Sequence, residues 1–174
     1  LNDEDMNTRE LLALRLHNQM LEGDNTFKKA EQVVSWMGAM QSQALEMAKW
    51  AIGVRLPGSA VNDVEQALNE GRVIRTHILR PTWHFVAAED IHWMLDLSIP
   101  RLRPAYASYR RQRGVSDEFL LRTNAIIEKS FDGDVHLTTQ EIQTMLGRNG
   151  ITNDRDILRI IIGAAAVSYT YLTT

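Results

Sequence analysis

The stretch "RVIRTHILRPTWHFVAA", residues 72–88, decides the architecture. Upstream of it, apolar residues recur every three or four positions; within it that period is lost. "RVIRTHIL" (72–79) and "TWHFVAA" (82–88) are rich in β-branched and aromatic residues, and Arg80-Pro81 separates them. Proline cannot donate to a strand ladder, so it belongs at the turn, and the stretch predicts two strands with a tight connection. Alternation sets Thr82, His84 and Val86 on one face of the second strand, and Trp83 and Phe85 on the other.

Working outward, "AVNDVEQALNEG" (60–71) reads as a short helix with Val61, Val64, Ala67 and Leu68 inward and Gly71 at its end. Before that, Asn7 with Glu10 is a capping-box pattern, and Leu11, Leu12, Leu14, Leu16, Met20 and Leu21 make a first helix. A second helical pattern runs from Phe27 to about Trp36, and the period continues beyond it through Met40, Ala44, Met47, Ala48 and Ala51 until "RLPGS" (55–59). The order is four helices and then two strands. A short helix feeding a two-stranded ribbon is the outline of a winged helix-turn-helix. The expected fold class is therefore mainly α with a small β-hairpin wing.

After the ribbon, "AEDIHWMLDLSI" is helical and is expected to stop at Pro100. "AYASYRRQR" is basic and aromatic. "SDEFLLRTNAIIEKSF" (116–131) reads as a helix capped by Ser116 or Asp117. Thr138 with Glu141 forms another capping box, Ile142, Met145 and Leu146 face inward, and Gly147 is expected to end that helix. A further helix is expected to end near Ala165 or Ala166, with "VSYTYLTT" as a candidate first strand of a second wing. These patterns imply tandem units: 7–110 as a first winged-helix unit, and 111–174 as an incomplete second one, divided at "RQRGV" (111–115).

The chain has 174 residues, 44% apolar and 24% charged, with no cysteine. That composition suits a globular protein and excludes a disulfide scaffold and thiol catalysis. The opening "LNDEDMNTRE" is acidic and lacks the pattern of a signal peptide, so a cytoplasmic protein away from membranes is expected. The net charge is −3. Its distribution is uneven, because residues 72–113 hold eight arginines against only Glu89, Asp90 and Asp96. A polyanion responds to the local field. Arg72, Arg75, Arg101, Arg103, Arg110, Arg111 and Arg113 are thus candidate DNA-binding residues, with Tyr106 and Tyr109 interleaved for stacking. The plainer alternative is a solvated arginine face.

The stretch "MGAMQSQALEMAKW" (37–50) places Gln41 and Gln43 in an otherwise apolar segment. Burying a carboxamide without partners is unfavourable. On a straight helix the two point about 200° apart, with Gln41 on the apolar face beside Met37, Ala44 and Ala48. They serve one site only near a helix end or a bend, which Gly38 permits. The alternative is a satisfied core amide at Gln41 and a surface residue at Gln43. Histidines 17, 77, 84, 92 and 136 lack the spacing of a metal site, and neither a metal nor a cofactor is expected.

With these residues in view, the sequence resembles the AlkZ-like family of bacterial winged-helix DNA glycosylases. The family pattern is a Gln-x-Gln (or Gln-x-Asp) element in a helical segment, then an Arg-x-Thr-x-His ribbon, then a helix beginning near Ala-x-Asp. Here these are Gln41-Ser42-Gln43, Arg80-Pro81-Thr82-Trp83-His84 and Ala88-Glu89-Asp90. The resemblance implies tandem winged helices on duplex DNA. It also implies removal of alkylated purines, including crosslinked ones, by hydrolysis of the N-glycosidic bond. By position, Gln41 and Gln43 match the catalytic glutamines, and Arg80, Thr82 and His84 match the ribbon motif. An amide has no useful pKa near neutrality, but it orients water and its carbonyl dipole stabilises positive charge on a sugar. That is enough when the leaving base is already cationic.

The chain departs from the family in length. Family members are about twice as long and carry three winged-helix units, so a fragment or a shortened relative is expected, with self-assembly as one way to bury an unfinished unit. Two other functions stay open beside the glycosylase: a non-catalytic winged-helix DNA-binding protein or regulator, and a helical protein-interaction domain.

Overall fold

The computed structural model describes residues 7–22, 26–79, 82–130, 137–151 and 154–166. It is mainly helical with one small antiparallel sheet. The helices are α1 (Thr8–Asn18), α2 (Ala30–Met37), α3 (Leu45–Gly53), α4 (Val61–Asn69), α5 (Ile91–Gln112), α6 (Asp117–Ser130), α7 (Thr139–Arg148) and α8 (Arg155–Ala166). The strands are β1 (Met40–Gln41), β2 (Val73–Ile78) and β3 (Thr82–Ala87). Among the described residues, no helix is long and apolar enough to cross a membrane.

The chain divides into two compact units. One takes in residues up to 75 together with 84–91; the other takes in 76–83 and the residues from 92 onward. The division cuts through the ribbon and follows Ile91.

In the first unit, α2, α3 and α4 pack around Val33, Val34, Ile52, Val64, Ala67 and Phe85, all fully buried. The strand order is β1-β3-β2, so the ribbon lies beside a third strand. That third strand corrects the expectation that the helical period continues through Met40 and Ala44; the helix read from Phe27 to about Trp36 is α2. The helix stops at Met37 because Gly38 adopts φ +71° and ψ −63°, with Ala39 N donating to the Met37 carbonyl at 2.9 Å. This is a three-residue γ-turn of the strained, positive-φ kind, which glycine adopts without a Cβ penalty. The chain leaves the turn extended and pairs with β3, Met40 opposite Phe85 and Gln41 opposite His84.

The amphipathic assignment of α4 holds at Val64 and Ala67, which are buried, and at half-buried Leu68. It fails at Val61, which sits in the first turn and is exposed. The capping box at Asn7 forms: its side chain accepts from Arg9 N and Glu10 N, and the Glu10 carboxylate accepts from Asn7 N. No residue of α1 is buried, leucines included. Arg55 ties down the end of α1, donating through Nε to the Gln19 carbonyl at 2.8 Å and through Nη1 to the Ala51 carbonyl at 2.7 Å.

In the second unit, α6, α7 and α8 enclose Leu120, Ile127, Leu146, Leu158, Ile160 and Ile161. Ser116 Oγ accepts from Phe119 N at 3.1 Å and Thr138 caps α7 with Glu141, as the sequence indicates. Two expectations are corrected. Pro100 does not stop α5, which runs 22 residues through both Pro100 and Pro104. Both prolines are exposed, and on that side water can satisfy the carbonyls they leave unpaired. Gly147 lies within α7, and Gly150, at φ +71°, takes the left-handed position after it. Arg80-Pro81 and "VSYTYLTT" lie outside the described residues.

Candidate functional site

The γ-turn at Gly38 determines what the glutamines can do. Past it, burial alternates: Met40 and Ser42 are buried, Gln41 and Gln43 exposed. In an extended chain, residues two apart share a side. Gln41 and Gln43 therefore face solvent together. The pair is not split by a helix; Gln43 is at the surface, as the alternative reading has it, but Gln41 is not a core amide. Met40 and Phe85, opposite one another, belong to the core cluster. Gln41 and His84, also opposite one another, occupy the other face of the sheet. His84 is 8% exposed, so it sits beneath the glutamine rather than beside it in solvent.

Ser42, between the glutamines, is fully buried. Its carbonyl accepts two hydrogen bonds from Arg75, at 3.2 Å from Nε and 2.9 Å from Nη2. Arg75 lies on β2, the outer strand on the far side of β3, so its side chain spans the central strand. Burial lowers its pKa from the usual guanidinium value; it stays a cation at neutral pH.

Arg72 is committed elsewhere. It pairs with Glu31 at 2.5 Å and Glu70 at 2.7 Å. The Glu70 bond raises the Arg72 pKa, and the Arg72 bond lowers that of Glu70. Helix α4 carries no basic residue and exposes Asp63 and, just past its end, Glu70. The Ala88-Glu89-Asp90 element forms a 3₁₀ turn leading into α5, and Glu89 accepts from Ser35 Oγ at 3.0 Å.

The remaining candidates belong to the second unit. Arg110 pairs with Asp117 at 2.6 Å. Arg113 pairs with Asp156, which raises the Arg113 pKa and lowers that of Asp156, and it lies over the Tyr109 ring at 5.4 Å. Arg101, Arg103 and Arg111 are exposed, and none makes an ion pair among the described residues. Tyr106 is not a free stacking platform. Its hydroxyl bonds His77 Nδ1, and His77 in turn packs on Trp83 with ring centroids 4.0 Å apart. Thr82 opens β3; Arg80 lies outside the described residues. Among the described residues, no three histidine, aspartate or glutamate side chains gather as metal ligands.

Two features escaped the sequence. The β1 strand is two residues long, too short to show a period. The Arg75–Ser42 tether joins residues distant in sequence, and only the glycine at 38 and the β-rich run around Arg75 hint at it.

The first unit thus presents a site whose solvent-facing groups are two neighbouring carboxamides, backed by a histidine and tethered by an arginine. The family described as "DNA glycosylase AlkZ-like" matches residues 34–164, a span that begins in α2 and ends in α8. The chain belongs to the AlkZ-like DNA glycosylase family. Among solved structures, it is similar to the DNA glycosylase AlkZ of Streptomyces sahachiroi, with a TM-score of 0.66 and 20% identity. The match covers 93% of this chain and 44% of that one, so the chain spans less than half the length of this relative. No curated protein sequence matches it.

Proposed function

We propose that the chain is a winged-helix DNA glycosylase that hydrolyses the N-glycosidic bond of alkylated or crosslinked purines in duplex DNA. The observation that carries this is the common orientation of Gln41 and Gln43, two exposed amides brought to one side by the extended segment after Gly38. In an N7- or N3-alkylated purine the base is already cationic and leaves with the bonding electron pair, which neutralises it. The amide oxygens accept hydrogen bonds from a water aimed at C1′ and stabilise the positive charge that develops on the sugar. Water oxygen forms the new bond to C1′, and its proton passes to solvent, since an amide cannot keep it.

The element order helix–strand–helix–helix–strand–strand, with strand order β1-β3-β2, supports a winged helix for the first unit. Helices α6 to α8 support a second helix-turn-helix. The acidic outer side of α4 disfavours phosphate contact there, and exposed Arg101, Arg103 and Arg111 favour it on α5. Those exposed arginines also favour the second reading, a non-catalytic winged-helix DNA-binding protein.

The deciding experiment incubates the chain with duplex DNA carrying N7-methylguanine and detects abasic sites by alkaline cleavage. Release that disappears in the Gln41→Ala/Gln43→Ala double variant supports the glycosylase. Salt-sensitive binding without release supports the second reading.

A further inference from the structure

We propose that Arg75 is a positioning residue for the glutamine pair, fixing through the Ser42 carbonyl the direction in which Gln43 leaves the chain. This rests on the glycosylase reading above for its functional consequence, but its structural content stands apart from it.

Three observations carry it. The β1–β3 pairing holds Met40 and Gln41 only. Ser42 and Gln43 lie past the end of β1 and before the start of α3, so the peptide between them belongs to neither a strand nor a helix. Second, the Ser42 carbonyl belongs to that peptide, and Arg75 grips it with two donors, Nε at 3.2 Å and Nη2 at 2.9 Å. Two donors from one planar guanidinium fix a plane, where an ammonium supplies a point contact. Third, Arg75 comes from β2, across the sheet from β1. The far strand thereby restrains the segment that follows the short near strand. A half-buried guanidinium with two donors spent on a carbonyl is poorly placed to serve chiefly as a phosphate contact, which is the role its sequence context suggests.

Single-turnover base release from N7-methylguanine duplex tests this, with Arg75→Met, Arg75→Lys and the unchanged chain compared. Binding to a duplex containing a non-cleavable abasic-site analogue is measured beside it. Misplacing a catalytic group by about 1 Å costs up to about 100-fold in rate. Arg75→Met is expected to slow release by roughly 10- to 100-fold, with affinity for the analogue within about threefold and partial recovery in Arg75→Lys. Release at the unchanged rate overturns the proposal. So does a loss of affinity with the first-order rate intact, which marks a phosphate contact.

Hydrogen exchange at the backbone amides of 41–45 gives a readout independent of catalysis. Faster exchange in Arg75→Met, confined to this segment, supports the tether; unchanged exchange overturns it. If the unchanged chain releases no base, the glycosylase reading fails, and exchange alone decides the role of Arg75.

Discussion

Gln41 and His84 stand directly opposite one another across the β1–β3 pair, the glutamine exposed and the histidine almost wholly covered. Residues opposite in an antiparallel pair project from the same face. His84 of the ribbon motif therefore lies beneath the first glutamine.

Because Gln41 and Gln43 are exposed, removing either amide leaves the packing intact. Gln41→Ala and Gln43→Ala are each expected to shift unfolding free energy by no more than about 0.5 kcal/mol. Each is expected to lower single-turnover base release by at least about 100-fold, the loss typical of one oriented dipole in a site that stabilises charge. Urea denaturation and alkaline cleavage assays check the two halves. A large loss of stability would mark the glutamines as structural.

Gly38→Ala isolates the turn. Among the described residues, no atom beyond its chain neighbours lies within 4 Å of where a Cβ at Gly38 would sit, so the positive φ carries the penalty. Backbone strain of this kind costs about 1–3 kcal/mol. Relief comes by continuing α2 past Met37, which turns Gln41 and Gln43 to different sides. Release is expected to fall more than stability does. Wild-type release from Gly38→Ala would separate the turn from the site.

Phe85 is fully buried and faces Met40 in the core. Phe85→Ala is expected to cost about 3–5 kcal/mol. By contrast Met47 and Trp50 are 62% and 64% exposed, and their alanine variants are expected to stay within about 0.5 kcal/mol. Urea midpoints at constant slope test the contrast.

Burial raises the pKa of the Tyr106 phenol to about 12. The unfolded chain loses that proton near the ordinary value of about 10. The folded state thus holds the proton more tightly. The associated stability is complete below about pH 10 and is lost as pH rises towards 12. Tyr106→Phe is expected to flatten this part of the alkaline stability profile, read as urea midpoints from neutral to alkaline pH. Equal slopes in both proteins would contradict it.

The arginines on and just after α5 divide by their partners. Arg101→Ala, Arg103→Ala and Arg111→Ala are each expected to weaken duplex binding and reduce the salt slope by about 1. Arg110→Ala and Arg113→Ala remove ion pairs to Asp117 and Asp156 and are expected to alter binding less. Anisotropy titrations across roughly 50 to 200 mM salt distinguish the groups.

The sequence by itself determined whatever is local. The capping boxes at Asn7–Glu10 and Thr138–Glu141 close over three residues, and the ribbon announces itself by its change of period. The four helices before it were legible because each buries a stripe or carries a cap of its own. The family was legible because three short motifs fall in order.

Tertiary structure alone decided the rest. A two-residue strand has no period, and β1 exists because β3 offers an unpaired edge to a chain that Gly38 has just turned out of a helix. Pro100 and Pro104 look like helix breakers in sequence, yet α5 passes through them on its exposed side, where water can take up the orphaned carbonyls. The glutamines share one side only because the chain is extended there. Their tether, from Arg75 on β2 to the carbonyl of Ser42 just past β1, is a contact that only the sheet order β1-β3-β2 brings within reach.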